Sequence, residues 1–104
     1  MKSKLKGTEK KYLRGLAHHL KPVILVGKGG LTDMVLDSID LALDDHELIK
    51  VKFNEFKEEK KALSRQIEEK AKAELVGLIG NVAIFYRETA DKNKRKINLP
   101  VGDF

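Results

Sequence analysis

The chain has 104 residues, a formal net charge of +5, 36% charged residues and no cysteine. That length fits one domain with one core, and the missing thiols exclude disulfides, cysteine nucleophiles and thiolate metal sites. No apolar stretch approaches the roughly 18 residues of a membrane span, and the Lys-rich start carries no apolar signal segment, so a cytoplasmic protein with no membrane partner is expected.

Charge is unevenly placed. Residues 1–30 hold eight Lys/Arg and one acid, residues 31–91 are net acidic, and residues 92–104 are basic again. This asymmetry suits a polyanion bound by one part of the surface. In chain order, Thr8 is placed to cap a first helix with apolar positions Leu13, Leu16, Ala17 and Leu20 and with Pro22 as its end. Lys11, Arg14, His18 and Lys21 recur on another face of it and make a basic stripe. Val23 to Val26 is a continuous apolar run and reads as a buried strand.

Gly27-Lys28-Gly29-Gly30 follows that strand, and Thr32 caps a second helix running to about Asp45. Bare glycines let a polymer backbone come close, the helix start offers free amides and a positive dipole end, and Lys28 adds a mobile cation. Those ingredients suit a phosphate. The spacing is neither a nucleotide-triphosphate loop nor a dinucleotide fingerprint. Val35, Leu36, Ile39, Ala42 and Leu43 give the second helix a buried side, while Asp33, Asp37, Asp40 and Asp44 form an acidic ridge that would repel phosphate.

Glu47 to Asn54 alternates, with Ile49, Val51 and Phe53 on one face and Leu48, Lys50 and Lys52 on the other. The two lysines are read as facing water. Residues 58–73 form a third helix, with Leu63, Ile67 and Ala71 inward. Leu75–Ile79 and Val82–Arg87 are strands joined by Gly80-Asn81, the signature of a two-residue hairpin of II′ type. Lys92 to Lys96 begins a cationic tail that Ile97 and Leu99 could partly order. The expected fold class is α/β: a two-layer α/β sandwich with a mixed four-stranded sheet, in the order α-β-α-β-α-β-β.

Three linked segments, Lys11 to Pro22, Val26 to Thr32 and Glu47 to Lys52, resemble the CRM (chloroplast RNA splicing and ribosome maturation) domain, and most of all its stand-alone bacterial YhbY-type form. The likeness spans about residues 6–90 and leaves the basic tail, 91–104, outside. It implies a fold similar to the C-terminal domain of translation initiation factor three. It also implies RNA binding through a GxxG loop at Gly27, Lys28, Gly29 and Gly30, and association with precursors of the large ribosomal subunit in ribosome biogenesis. Phe53-Asn54-Glu55-Phe56-Lys57 carries no motif of that family.

The expected RNA contacts are therefore Gly27, Lys28, Gly29, Gly30 and Thr32, extended by Lys11, Arg14, His18 and Lys21. His18 and His19 diverge by about 100° on a helix and have no third ligand partner, and His46 sits where a helix end favours a cation. No metal, cofactor or small-molecule substrate is expected. No nucleophile–base arrangement stands out, so the chain is read as a non-enzymatic, monomeric module. Tyr12 and Tyr86 are too scattered for an aromatic base-reading sheet. The rival readings are a protein adaptor docking on a ribosomal protein or assembly factor through the acidic second helix, and a DNA-binding protein, for which no recognition helix is evident.

Overall fold

The computed structural model describes residues 5–99; the last five positions of the basic tail lie outside them. The elements are α1 (Gly7–Ala17), β1 (Ile24–Val26), α2 (Asp33–His46), β2 (Leu48–Phe53), α3 (Lys60–Ala71), β3 (Glu74–Ile79) and β4 (Val82–Tyr86), with 3-10 turns at Lys57–Glu59 and Lys92–Lys94. The strands form one mixed sheet in the order β1-β2-β4-β3, with β1 parallel to β2 and the other neighbours antiparallel. The expected α/β class and mixed four-stranded sheet are both present.

Strand alternation sorts the core onto two faces. On one face Ile49, Val51 and Phe53 of β2 meet Ile39 and Leu43 of α2 and Ile67 and Ala71 of α3, together with Ala83 and Phe85. On the other, Leu48, Val76, Ile84 and Tyr86 meet Leu13 and Ala17 of α1. The sheet with α2 and α3 makes the two-layer sandwich, and α1 crosses the second face as a partial third layer. Leu48 is buried rather than water-facing because α1 lies on it.

Three local expectations need correcting. The first helix starts at Gly7, before Thr8: the Glu9 carboxylate accepts the Lys6 amide at 2.8 Å and closes the helix start from inside. The same helix stops at Ala17, well short of Pro22, because the next residues are drawn to the sheet. Lys50 Nζ donates to the Leu20 carbonyl at 2.9 Å, and the Val23 amide donates to the Lys50 carbonyl at 3.1 Å. Finally, β1 is an edge strand buried on one side only. Val26 is fully buried, whereas Leu25 is exposed, since α1 does not reach it.

The hairpin matches its sequence. Ile79 pairs with Val82, Gly80 takes a φ of +58°, and Asn81 stays out of the left-handed region, as a II′ turn requires. Thr32 caps α2, its Oγ1 accepting the Val35 amide at 3.1 Å.

Two side chains at the end of β4 and the start of β2 lock the helices and tail to the sheet. Arg87 donates to the Asp40 and Asp44 carboxylates at 2.6 and 2.9 Å, and to the Ala71 and Asp40 carbonyls at 2.8 and 2.9 Å. Glu47 is almost wholly buried and sits at a left-handed φ of 64°. Its carboxylate accepts the amides of Thr89, Lys96 and Ile97 at 2.9, 2.6 and 3.1 Å. The described part of the tail is thereby folded back, with Ile97 and Leu99 against the α1-side core.

The Tyr86 hydroxyl is pushed up to about 12 from an ordinary 10, by burial first and then by the nearby Glu47 and Glu88 charges; Arg95 opposes this. A raised phenol pKa favours the protonated form in the fold. Its stabilising share is whole below pH 10 and disappears as pH climbs through 12. The fall in melting temperature between pH 10 and 12 should therefore be shallower in Tyr86→Phe than in the unaltered chain. Arg87→Ala should lower unfolding free energy by about 1–3 kcal/mol in urea titration, because carbonyl partners are orphaned. Asp44→Asn removes only an exposed ion pair and should cost less than about 1 kcal/mol.

Candidate nucleic-acid interface

β1 ends at Val26, and the chain turns at once. The Gly30 amide donates to the Gly27 carbonyl at 3.0 Å, closing a four-residue turn. Gly30 then takes a φ of +69° to enter α2, a conformation that side-chain-bearing residues adopt at a cost. Lys28 and Gly29 are exposed, while Gly27 and Gly30 are half-buried. The bend is thus reachable from outside.

Among the described residues, the amides of Lys28 and Gly29 have no intramolecular acceptor, and the Lys28 ammonium has no ion-pair partner. The first turn of α2 adds its own outward amides, with Val35 and Leu36 already satisfied by Thr32. Thr32 is thus engaged as a cap. An anion at this bend would meet backbone donors, a helix dipole and one mobile cation together.

The segment 53–57, which carries no motif, builds the floor of the bend. The Asn54 and Glu55 amides both donate to the Val26 carbonyl, at 3.0 and 3.2 Å. Phe56 follows in a left-handed conformation (φ 57°) and lays its ring on Gly30, where a Cβ would sit 3.6 Å from Phe56 Cε2. A shallow depression beside Lys28 is lined by Asn54, Glu55, Phe56, Lys57, Glu58 and Glu59. Acids therefore flank the bend on that side, and Asp33 and Asp37 are exposed along α2.

The basic stripe expected on the first helix does not hold together. Lys11 is exposed on α1. Arg14 is half-buried and donates to the Val76 carbonyl at 3.0 Å. It lies on Gly77 so closely that a Cβ there would come within 2.8 Å of Arg14 Cδ. His18, just past the helix, shares a groove with Arg14 and Lys50. Lys21 lies elsewhere, in a separate groove lined by Leu16, Leu20, Val23, His46, Leu48 and Lys96 among others. Because α1 ends at Ala17, the helical spacing that joined Lys21 to Arg14 no longer applies.

Of the acidic ridge, Asp40 and Asp44 are paired with Arg87. Among the described residues no group of three or more His, Asp or Glu side chains is arranged to hold a metal ion, and no helix is long and apolar enough to cross a membrane. The roles of Arg87 and Glu47 have no sequence signature: the carboxylates that Arg87 pairs with and the amides that the Glu47 side chain accepts lie more than 40 positions away.

The profile of the CRS1 / YhbY (CRM) domain matches residues 5–87. A protein of Haemophilus influenzae named as an RNA-binding protein is 43% identical over 93 residues, covering 88% of this chain and 91% of that one. Proteins of Pseudomonas aeruginosa and Bacillus subtilis, each named as a probable RNA-binding protein, are 39% and 38% identical. The first alignment covers 88% of both chains; the second covers 92% of this chain and 99% of the relative. The solution structure of a Staphylococcus aureus protein superposes with a TM-score of 0.75 at 39% identity, over 92% of this chain and 99% of the other. The family profile, the sequence relatives and the superposed structure agree, and the chain belongs to the CRS1 / YhbY (CRM) domain family.

Proposed function

We propose that this protein binds RNA, holding the sugar–phosphate backbone at Gly27–Gly30 and the first turn of α2, and that it does so during assembly of the large ribosomal subunit. The observation that carries the reading is the solvent-open bend: two exposed backbone amides that, among the described residues, have no acceptor, beside a lysine that has no counter-ion among them. Relatives named for RNA binding support the ligand class. The resemblance to the ribosome-maturation family supports the cellular setting. No step of chemistry is needed; the module holds and positions. The adaptor reading is weakened, because two of the four ridge carboxylates that it needs are already taken by Arg87.

Backbone contacts position a strand without reading its sequence. Binding should therefore be weakly selective, and log K should fall with log salt at a slope of roughly −2 to −4 for three to five neutralised phosphates. A flat salt response, measured by fluorescence anisotropy with a labelled ribosomal RNA fragment, would remove the electrostatic basis of the proposal.

Two variants separate binding from folding. Lys28→Glu should weaken RNA binding by about five- to tenfold, with melting temperature unchanged because the side chain is exposed and has no hydrogen-bond or ion-pair partner among the described residues. Gly27→Ala should also fold normally, since a Cβ there meets nothing within 4 Å. Loss of affinity in Gly27→Ala would mean that RNA approaches the bare backbone. For the cellular setting, co-sedimentation with large-subunit precursors should disappear in Lys28→Glu; retained co-sedimentation would assign that association to another surface.

A further inference from the structure

The face of the sheet that carries α1 is only half covered. Paired residues on neighbouring strands share a face. The register links Leu25 to Lys52, Lys52 to Val82 and Val82 to Ile79. These four side chains therefore form one row across all four strands, spanning about 14 Å. α1 does not cover the row: Leu25 is 55% and Ile79 64% exposed.

Directly behind this row, between the end of α1 and the β3–β4 hairpin, runs a groove. Its floor is Ile79, Val82 and Ile84, and its walls are Arg14, His18, Pro22 and Lys50. Among the described residues no acidic side chain lines it. The acids near the glycine bend lie outside this groove: Glu55, Glu58 and Glu59 line the depression beside Lys28, and Asp33 and Asp37 are on α2.

We propose that this half-open face is a second binding site, one that takes unpaired nucleobases of a single-stranded RNA whose backbone is held at Gly27–Gly30. The inference rests on the RNA-binding reading and extends it from phosphate to base. Leu25 lies two residues before the bend, about 7 Å along the strand, so a chain leaving the bend reaches the row within one or two nucleotides. Charge directs it there, since Arg14 and Lys50 line this groove whereas Glu55, Glu58 and Glu59 line the depression beside Lys28.

The chemistry of the groove suits a base. A nucleobase has apolar faces and a polar edge. The aliphatic floor receives the face, and the His18 ring and Arg14 guanidinium offer flat partners of the kind on which bases stack. Arg14 remains fully charged while one of its N–H groups holds the Val76 carbonyl. Lys52 in the row supplies a further phosphate contact. Paired bases have their faces covered by neighbours and cannot enter, so the site selects single-stranded over double-stranded RNA.

The test uses the full chain, a fluorescein-labelled oligouridylate of about a dozen nucleotides and an RNA duplex of equal length. The double variant Leu25→Ser/Ile79→Ser changes only exposed side chains and should keep its melting temperature. Its affinity for the single strand should fall roughly five- to tenfold, with the salt slope unchanged because no cation is lost. Its duplex affinity should stay as it was. Methyl NMR signals of Val82 and Ile84 should shift on adding the oligouridylate to the unaltered protein. Equal losses for single strand and duplex, or unshifted methyls, would overturn the site. Unchanged single-strand affinity in the double variant while Lys28→Glu still binds weakly overturns the groove alone. Indifference to both changes overturns the glycine bend as well.

Discussion

The carbonyl of Val26 fixes the business end of this molecule. It closes the short parallel pairing of β1 with β2 and accepts two amides, from Asn54 and Glu55. A three-residue strand has little hold of its own. With two donors on one acceptor, the end of β1 is pinned to the end of β2 at the point where the glycine bend begins. Phe56 then folds back under Gly30, and Thr32 starts α2 from the far side. The bend stays unsubstituted and open because its support comes from below. Among the described residues the Lys28 and Gly29 amides meet no acceptor, and only the Gly30 amide is spent on closing the turn.

Electrostatics follows from the same layering. The acidic ridge of α2 would oppose any polyanion, yet it belongs to the face away from the open sheet. Arg87, rooted at the end of β4, turns two of its carboxylates into a clasp between α2, α3 and the sheet. Part of the net-acidic middle of the chain is therefore structural, and Lys50 on the second face meets no carboxylate, among the described residues, in the groove that it lines. The buried Glu47 works in a similar way. One carboxylate accepting three amides organises the tail. A lone buried charge would be costly, but these donors replace the water it gives up.

The parts of the fold that were legible in sequence are those encoded locally. Gly80-Asn81 dictated the hairpin, Thr32 the start of α2, and the alternation from Leu48 to Phe53 the central strand. The glycine bend was visible because strand, glycines and cap are contiguous. What stayed hidden depends on distant partners. Nothing near Glu47 announces that residues 89–97 will close on it, and nothing near Arg87 announces Asp40. The basic stripe does not form for a related reason: the periodicity that joins Lys21 to Arg14 needs a helix that continues past Ala17, where α1 ends. Lys50 ended that, since its ammonium takes the Leu20 carbonyl. Phe56 carried no signal at all, because its role under Gly30 is a matter of backbone conformation and not of residue pattern.

Arg14 and Lys28 show two ways of presenting positive charge, and the difference bears on how a strand would settle. Lys28 stands on an exposed turn with no ion-pair partner among the described residues, so it can follow an incoming phosphate at the expense of its rotamer freedom. Arg14 is already fixed. Gly77 leaves room for its stem to lie flat, and the Val76 carbonyl holds its guanidinium. Its ordering was completed on folding, so meeting a ligand costs it little more. A mobile cation suits capture at the bend, where contacts are to a uniform backbone. A fixed cation suits the groove, where a flat ring must meet a flat partner at a set distance. The fold thus separates the two tasks by placing one cation on a loop and the other on a helix packed to the sheet.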